Sequence, residues 1–177
     1  GPPACMPRDP ENVKKELRCA TACGTSLQEL YVDRDLMNAK DGMLWDELAK
    51  GIKWIRRNAD VLDDVHWVGG NPNQLEPYGY AAWSPRGCTL ALRNPDDRPR
   101  TIDLDASTVF DPVKGVPAVF PMKASYPDQR VKTLNLEQGK PVSLELQPFE
   151  VLVFDMRTNG HLSLIHISEP TRQEAIS

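Results

Sequence analysis

The chain has 177 residues, 40% of them hydrophobic, with 21 basic and 25 acidic side chains and a formal net charge of −4. That length suits one domain or one and a half. The mild acidity offers no footprint for nucleic acid, which favours a basic face, and no apolar run approaches the ~20 residues of a membrane span.

The chain opens Gly1-Pro2-Pro3, with no initiator Met and no charged and apolar leader that would mark a signal peptide. Asp9-Pro10-Glu11 reads as a helix start. Asp caps, Pro suits the first helical position, and Glu favours the positive end of the helix. Val13, Leu17 and Ala20 recur at helical spacing, with Cys23 close behind, and Gly24 stands where a helix end accepts a left-handed residue. Leu27–Val32 is a short apolar stretch read as a strand. Asn38 is expected to open a second helix whose apolar positions Leu44, Leu48, Ile52, Ile55, Ala59 and Leu62 form one stripe, flanked by Trp45 and Trp54. Cys5, Cys19, Cys23 and Cys88 fit no zinc spacing and read as small core residues, so no metal or cofactor is expected.

From residue 65 the pattern changes to short β-rich runs between turn signals. Strands are expected at Val65–Val68, Tyr78–Trp83, Cys88–Arg93, Arg100–Leu104, Val119–Lys123, Val131–Leu136, Val142–Leu146 and Phe149–Asp155. Val142, Leu144 and Leu146 alternate with Ser143, Glu145 and Gln147, one face buried and one wet. Phe149 to Phe154 is nearly all apolar and should be a central strand covered on both sides. Eight short strands at this spacing suggest an antiparallel β-sandwich. Helix, strand, helix and sandwich is the order expected at the end of a (β/α)₈ barrel with an appended β domain. The same elements could also form a small α+β domain.

The segments GTSLQELYVDRDLM, WDELAKGIKWIRRNADVL, HWVGGNP, YGYAAWSPRGCTLALRNP and PFEVLVFD resemble the C-terminal end of bacterial α-galactosidase-like glycoside hydrolases, relatives of families 27, 31 and 36. The resemblance spans nearly all of residues 6–157 and is most specific at Trp83–Gly87, Leu92–Pro95 and Pro148–Asp155. It implies an α+β fragment. Residues 1–64 would be the last helices and last strand of a (β/α)₈ barrel, 65–157 an antiparallel β-sandwich, and 158–177 a tail. It also implies a carbohydrate substrate. Retaining glycosidases set two carboxyl groups about 5 Å apart across the scissile bond, at the C-terminal ends of barrel strands. Both would precede Gly1, so no catalytic residue is expected here. Asp33 and Asp35 share one loop, Asp63 and Asp64 end a helix, and Asp96 and Asp97 mark a turn; all are poor substitutes.

Three residues are candidates for touching substrate. Tyr31 and Asp33 would stand on the C-terminal rim of the last barrel strand, where an aromatic can stack on a sugar and a carboxylate can accept from its hydroxyls. Trp67, before Gly69 and Gly70, is a third candidate, or a hinge anchor. A carbohydrate-binding module is the competing class. Tyr78 and Tyr80 would share a strand face, but Trp83 should point to the other, which weakens an aromatic platform. A structural module without ligand is the third class. With the tail set aside, His66 and His161 are the remaining histidines, and no Ser or Cys lies in a nucleophile elbow. Gly69-Gly70-Asn71-Pro72 lacks the Lys of a phosphate loop.

The last residues carry a separate signal. Leu162 to Arg172, LSLIHISEPTR, reads as one translated frame of a transposase sequencing adapter. Residues 162–177 are therefore expected to be adapter read-through, outside any fold reasoning. Without their one Arg and two Glu, the remainder carries 20 basic and 23 acidic residues.

Overall fold

A computed structural model describes residues 9–24, 32–111 and 119–158. Tyr31, most of the expected Leu27–Val32 strand and the whole of 162–177 lie outside the described residues.

Helix α1, Pro10–Thr21, begins as its sequence dictates: the Asp9 carboxylate accepts from Glu11 N at 3.1 Å, and Pro10 occupies the first turn. Helix α2, Arg34–Asn58, starts earlier than Asn38. Its cap is Asp33, whose Oδ1 accepts from the amides of Asp35 (2.8 Å) and Leu36 (3.2 Å). The backbone then leaves helical geometry from Ala39 to Gly42, with Lys40, Asp41 and Gly42 all at positive φ. Trp45 Nε1 donates across this break to Asn38 Oδ1 at 3.0 Å. The regular apolar spacing begins only at Leu44, so the first turn carried too few core residues to be recognised.

α1 and α2 run parallel. Glu11 meets Lys40, Arg18 meets Glu47, and Thr21 faces Gly51, a nearly constant offset along both helices. A Cβ on Gly51 would stand 2.7 Å from Thr21 Cγ2. Gly51→Leu is expected to force the helices apart and cost about 1–3 kcal/mol by overpacking. A urea midpoint equal to that of the unaltered chain would contradict this contact.

The buried face of α2 is rotated from the expected stripe. Leu44, Glu47, Gly51, Trp54 and Asn58 are buried, whereas Ile52 and Ala59 are exposed. The cause is polar as well as apolar. Glu47 turns inward to meet Arg18, and Trp54 turns inward to reach the sheet. Leu44 and Leu62 of the expected stripe are buried and Leu48 and Ile55 pack partly against the core, whereas Trp45, Ile52 and Ala59 are left exposed, Trp45 45% and Ile52 39% accessible.

Among the described residues eight strands follow, close to the expected ranges: β1 Val65–Gly69, β2 Tyr78–Ser84, β3 Gly87–Arg93, β4 Arg100–Leu104, β5 Val119–Ala124, β6 Thr133–Glu137, β7 Val142–Leu146 and β8 Val151–Arg157. All pairings are antiparallel. Six strands form one sheet in the order β1-β2-β3-β8-β5-β6, and β4 and β7 form a second. A large core including Leu90, Leu92, Leu104, Phe120, Leu136, Leu146 and Phe154 lies against one face of the large sheet. The other face carries α1 and α2 through Cys19, Trp54, Leu62, Ala91, Val151 and Val153. Coverage on both sides explains why Val151–Phe154 and Gly87–Leu92 are continuously buried. The expected start of the last strand is corrected: Phe149 sits in a turn at φ +53, 44% exposed, with its amide donating to Asp96 O. A short helix α3, Ala106–Val109, capped by Asp105, interrupts the β region and was not expected.

Asn94 shows why the Leu92–Pro95 block matters. It is fully buried, and its Nδ2 donates to the carbonyls of Arg98, Leu146 and Gln147 while its Oδ1 accepts from Asp96 N. One amide thus fastens the loop after β3 to the loop after β7.

Polar clamps hold the helices to the sheet. Arg18 bonds Glu47 at 2.8 Å, reaches Asp128 at 2.8 Å and lies 4.1 Å over the Tyr126 ring. Asp155 Oδ2 accepts from Trp54 Nε1, Ser125 Oγ and Arg57. Asp60 pairs with Arg157 and Arg86. The Arg157 hydrogen bond holds the Asp60 carboxyl down at about 2. Burial opposes the same shift in Asp128, but Lys14 and Arg18 outweigh it and hold that group at about 2 as well. Both groups bind protons more weakly folded than unfolded. Their contribution is therefore whole above the unfolded value near 3.8 and is lost as pH falls through the folded value. Urea midpoints are expected to hold down to about pH 4 and to fall between about pH 4 and 2. The slope should be shallower in an Asp60→Asn/Asp128→Asn variant, and an equal slope would refute the assignment.

Candidate functional site

The site builds from a row across one end of the large sheet. Gly69, Tyr78, Arg93 and Val151 are successive register partners on β1, β2, β3 and β8. Beside this row, Trp67 stacks on Tyr78 with ring centroids 4.8 Å apart and planes 2° from parallel, and Tyr80 meets both edge-on. Trp67 Nε1 donates to Gly70 O at 3.2 Å, and the ring remains 46% exposed. The slab is therefore rigid and yet open, the property a stacking surface needs.

The row continues into charge. Arg93 forks onto Glu16 of α1, one limb at 2.7 Å. Asn12, Lys15, Glu16, Arg93 and Phe149 line a shallow depression of about 210 Å³. The Glu16 hydrogen bond, working against burial, raises the affinity of Arg93 for its proton. Burial pushes Tyr78 up, and Cys19 beneath it up to about 11. The Cys19 thiol is thus protonated at neutral pH, which removes it as a nucleophile.

Of the candidates named from sequence, Trp67 lies in this slab. Asp33 does not: it caps α2 at the far end of the helix from β1, and its Oδ1 is committed to backbone amides. Tyr31 lies outside the described residues. Arg93, Glu16 and Phe149 were missed as site residues. The signal for Arg93 was its place in the Leu92–Pro95 block, but its partner is 77 residues away in sequence. Tyr78 and Tyr80 share a face and Trp83 takes the other, as strand alternation required.

Asp60, Asp96, Asp105 and Asp128 all shift towards the ionised form, opposite to what a general acid needs. Among the described residues no three His, Cys, Asp or Glu side chains group to hold a metal, and no helix is long and apolar enough to cross a membrane.

The arrangement of two helices on a six-stranded antiparallel sheet recurs within glycoside hydrolases. α-Galactosidase I of Mortierella vinacea superposes with a TM-score of 0.58 at 9% identity, over 83% of this chain and 35% of that one. A protein of Bacillus halodurans described as an α-N-acetylgalactosaminidase gives 0.57 at 13% identity, over 84% of this chain and 32% of its own. The α-amylase of Geobacillus thermoleovorans gives 0.52 at 13% identity, over 85% and 34%. The chain thus spans about a third of the length of each, and at these identities the likeness is one of fold. No protein-family model matches the sequence, and no curated protein does.

Proposed function

We propose that the chain is the C-terminal part of a glycoside hydrolase acting on α-galactoside-like glycans. Residues up to 64 would be the last elements of its (β/α)₈ barrel, and 65–157 its appended antiparallel β-sandwich. The observation that carries this reading is the superposition of most of this chain onto about a third of an α-galactosidase. Two features of the helices support it. Consecutive parallel helices such as α1 and α2 are the repeat of a β/α barrel. The exposed Trp45, Ile52 and Ala59 on α2 offer an apolar flank to further barrel elements.

On this reading both catalytic carboxylates come from outside the chain, and Tyr31, Asp33 and Trp67 are proposed to contact substrate. The test compares this chain with the reading frame extended upstream in genomic DNA, both assayed on p-nitrophenyl α-galactoside and α-N-acetylgalactosaminide. Hydrolysis by the extended protein alone is expected, with Trp67→Ala raising its KM. Hydrolysis by the present chain would refute the catalytic division. An inactive extended protein lacking a pair of barrel aspartates would refute the glycosidase reading. The second reading, a non-catalytic carbohydrate-binding or structural module, is favoured by the exposed Trp67–Tyr78 slab. Glycan binding by this chain, lost in Trp67→Ala, would establish its binding form.

A further inference from the structure

The opposite face of the β1–β2 edge holds a cleft of about 800 Å³, within the size range of small-molecule sites. Asp64, His66, Trp83, Ser107, Thr108 and Asp111 line it, from the entry to β1, the end of β2 and α3. The cleft stands apart from Trp67, because neighbours along a strand point to opposite faces.

Its chemistry is one-sided. His66 Nε2 lies 2.6 Å from Val109 O. A carbonyl can only accept, so Nε2 carries the hydrogen and Nδ1 of the neutral ring is an acceptor. Among the described residues, the carboxylates of the solvent-exposed Asp64 and Asp111 and the Trp83 indole N–H meet no hydrogen-bond or ion-pair partner. Trp83 is held by the core behind it and is half-buried. The cleft therefore presents the Trp83 ring with its free donor, beside the buried Phe110, together with two free carboxylates and an imidazole nitrogen. Among the described residues, no Lys or Arg lines it.

Two carboxylates without a cation repel phosphates and carboxylic acids. Several acceptors facing an aromatic ring suit a neutral ring that is apolar on its C–H face and edged with hydroxyl donors. We propose that this cleft is a saccharide-binding site in which Trp83 stacks on the sugar while Asp64 and Asp111 accept from its hydroxyls. The site stands on the cleft's own residues and not on the glycosidase reading.

The test is an NMR titration of the full chain labelled at the indole nitrogens, using methyl α-D-galactopyranoside, maltose and putrescine. Either saccharide is expected to move the Trp83 indole signal saturably and to leave that of Trp54 in place. Asp64→Asn and Asp111→Asn should each weaken binding about tenfold, as loss of a charge-assisted hydrogen bond does. Trp83→Phe should keep the far-ultraviolet spectrum and weaken binding. No saccharide shift at the solubility limit would overturn the proposal. So would shifts unchanged in the two Asn variants, or a response to putrescine alone, which would mark a cation site. None of these outcomes bears on the hydrolysis assay.

Discussion

Replacing Arg18 by Met is expected to lower unfolding free energy by about 3 kcal/mol, the lower end for breaking a buried pair. Arg18 and Glu47 are 7% and 3% exposed at their side chains, so the change strands a carboxylate that water cannot reach. Lys50, 3.7 Å from the other Glu47 oxygen, offsets part of the loss, which sets the estimate low in the range. Asp128, 46% exposed and still paired with Lys14, should contribute little. The accompanying fall in Tm is roughly 6–12 °C for a chain of this size. The double change Arg18→Met/Glu47→Leu removes both charges and should recover most of the loss. A single variant within about 1 kcal/mol of the unaltered chain would show that the pair is solvated after all.

Trp54→Ala carries the second large effect, about 3–5 kcal/mol by urea denaturation. Trp54 is 4% exposed and joins α2 to Ala91, Val151 and Val153 on the sheet, so its loss opens a cavity in the layer between them. Trp54→Phe separates the two roles of the side chain. It keeps most of the apolar volume and loses the indole donor that Asp155 and Ser125 share. Asp155 retains Ser125 and Arg57, so the cost should be about 1 kcal/mol. Equal costs for the Ala and Phe variants would mean that the hydrogen bond, not the packing, holds the helix down.

These two clamps mark where sequence reading stops. The eight strands were legible because each alternates or runs apolar between Gly, Pro and Asn turns, signals that span fewer than ten residues. The Asp9-Pro10 helix start was legible for the same reason. The face that α2 buries was not. Apolar spacing favoured the stripe from Leu44 through Leu48, Ile52 and Ile55, of which Leu44 is fully buried, and no local signal says that Glu47 will turn inward, because its partner lies on another helix 29 residues away. The turn at Phe149 escaped notice because an apolar residue at φ +53 looks like strand until the Asp96 carbonyl it binds is known. Of the candidate site, Trp67 stood out in sequence as an aromatic beside two glycines, whereas Arg93 and Glu16 come together only when α1 is laid over β3.

Sequence by itself determined the eight strands, the capped start of α1 and the wet and dry faces of the strands, since these follow from residue neighbours and a backbone with two periods. Only tertiary structure decided the strand order that sets β8 at the centre, the rotation of α2, and the separation of the Trp67 slab from the Trp83 cleft. Those depend on pairings between residues tens of positions apart, whose energies are comparable to the local ones but leave no trace in local pattern.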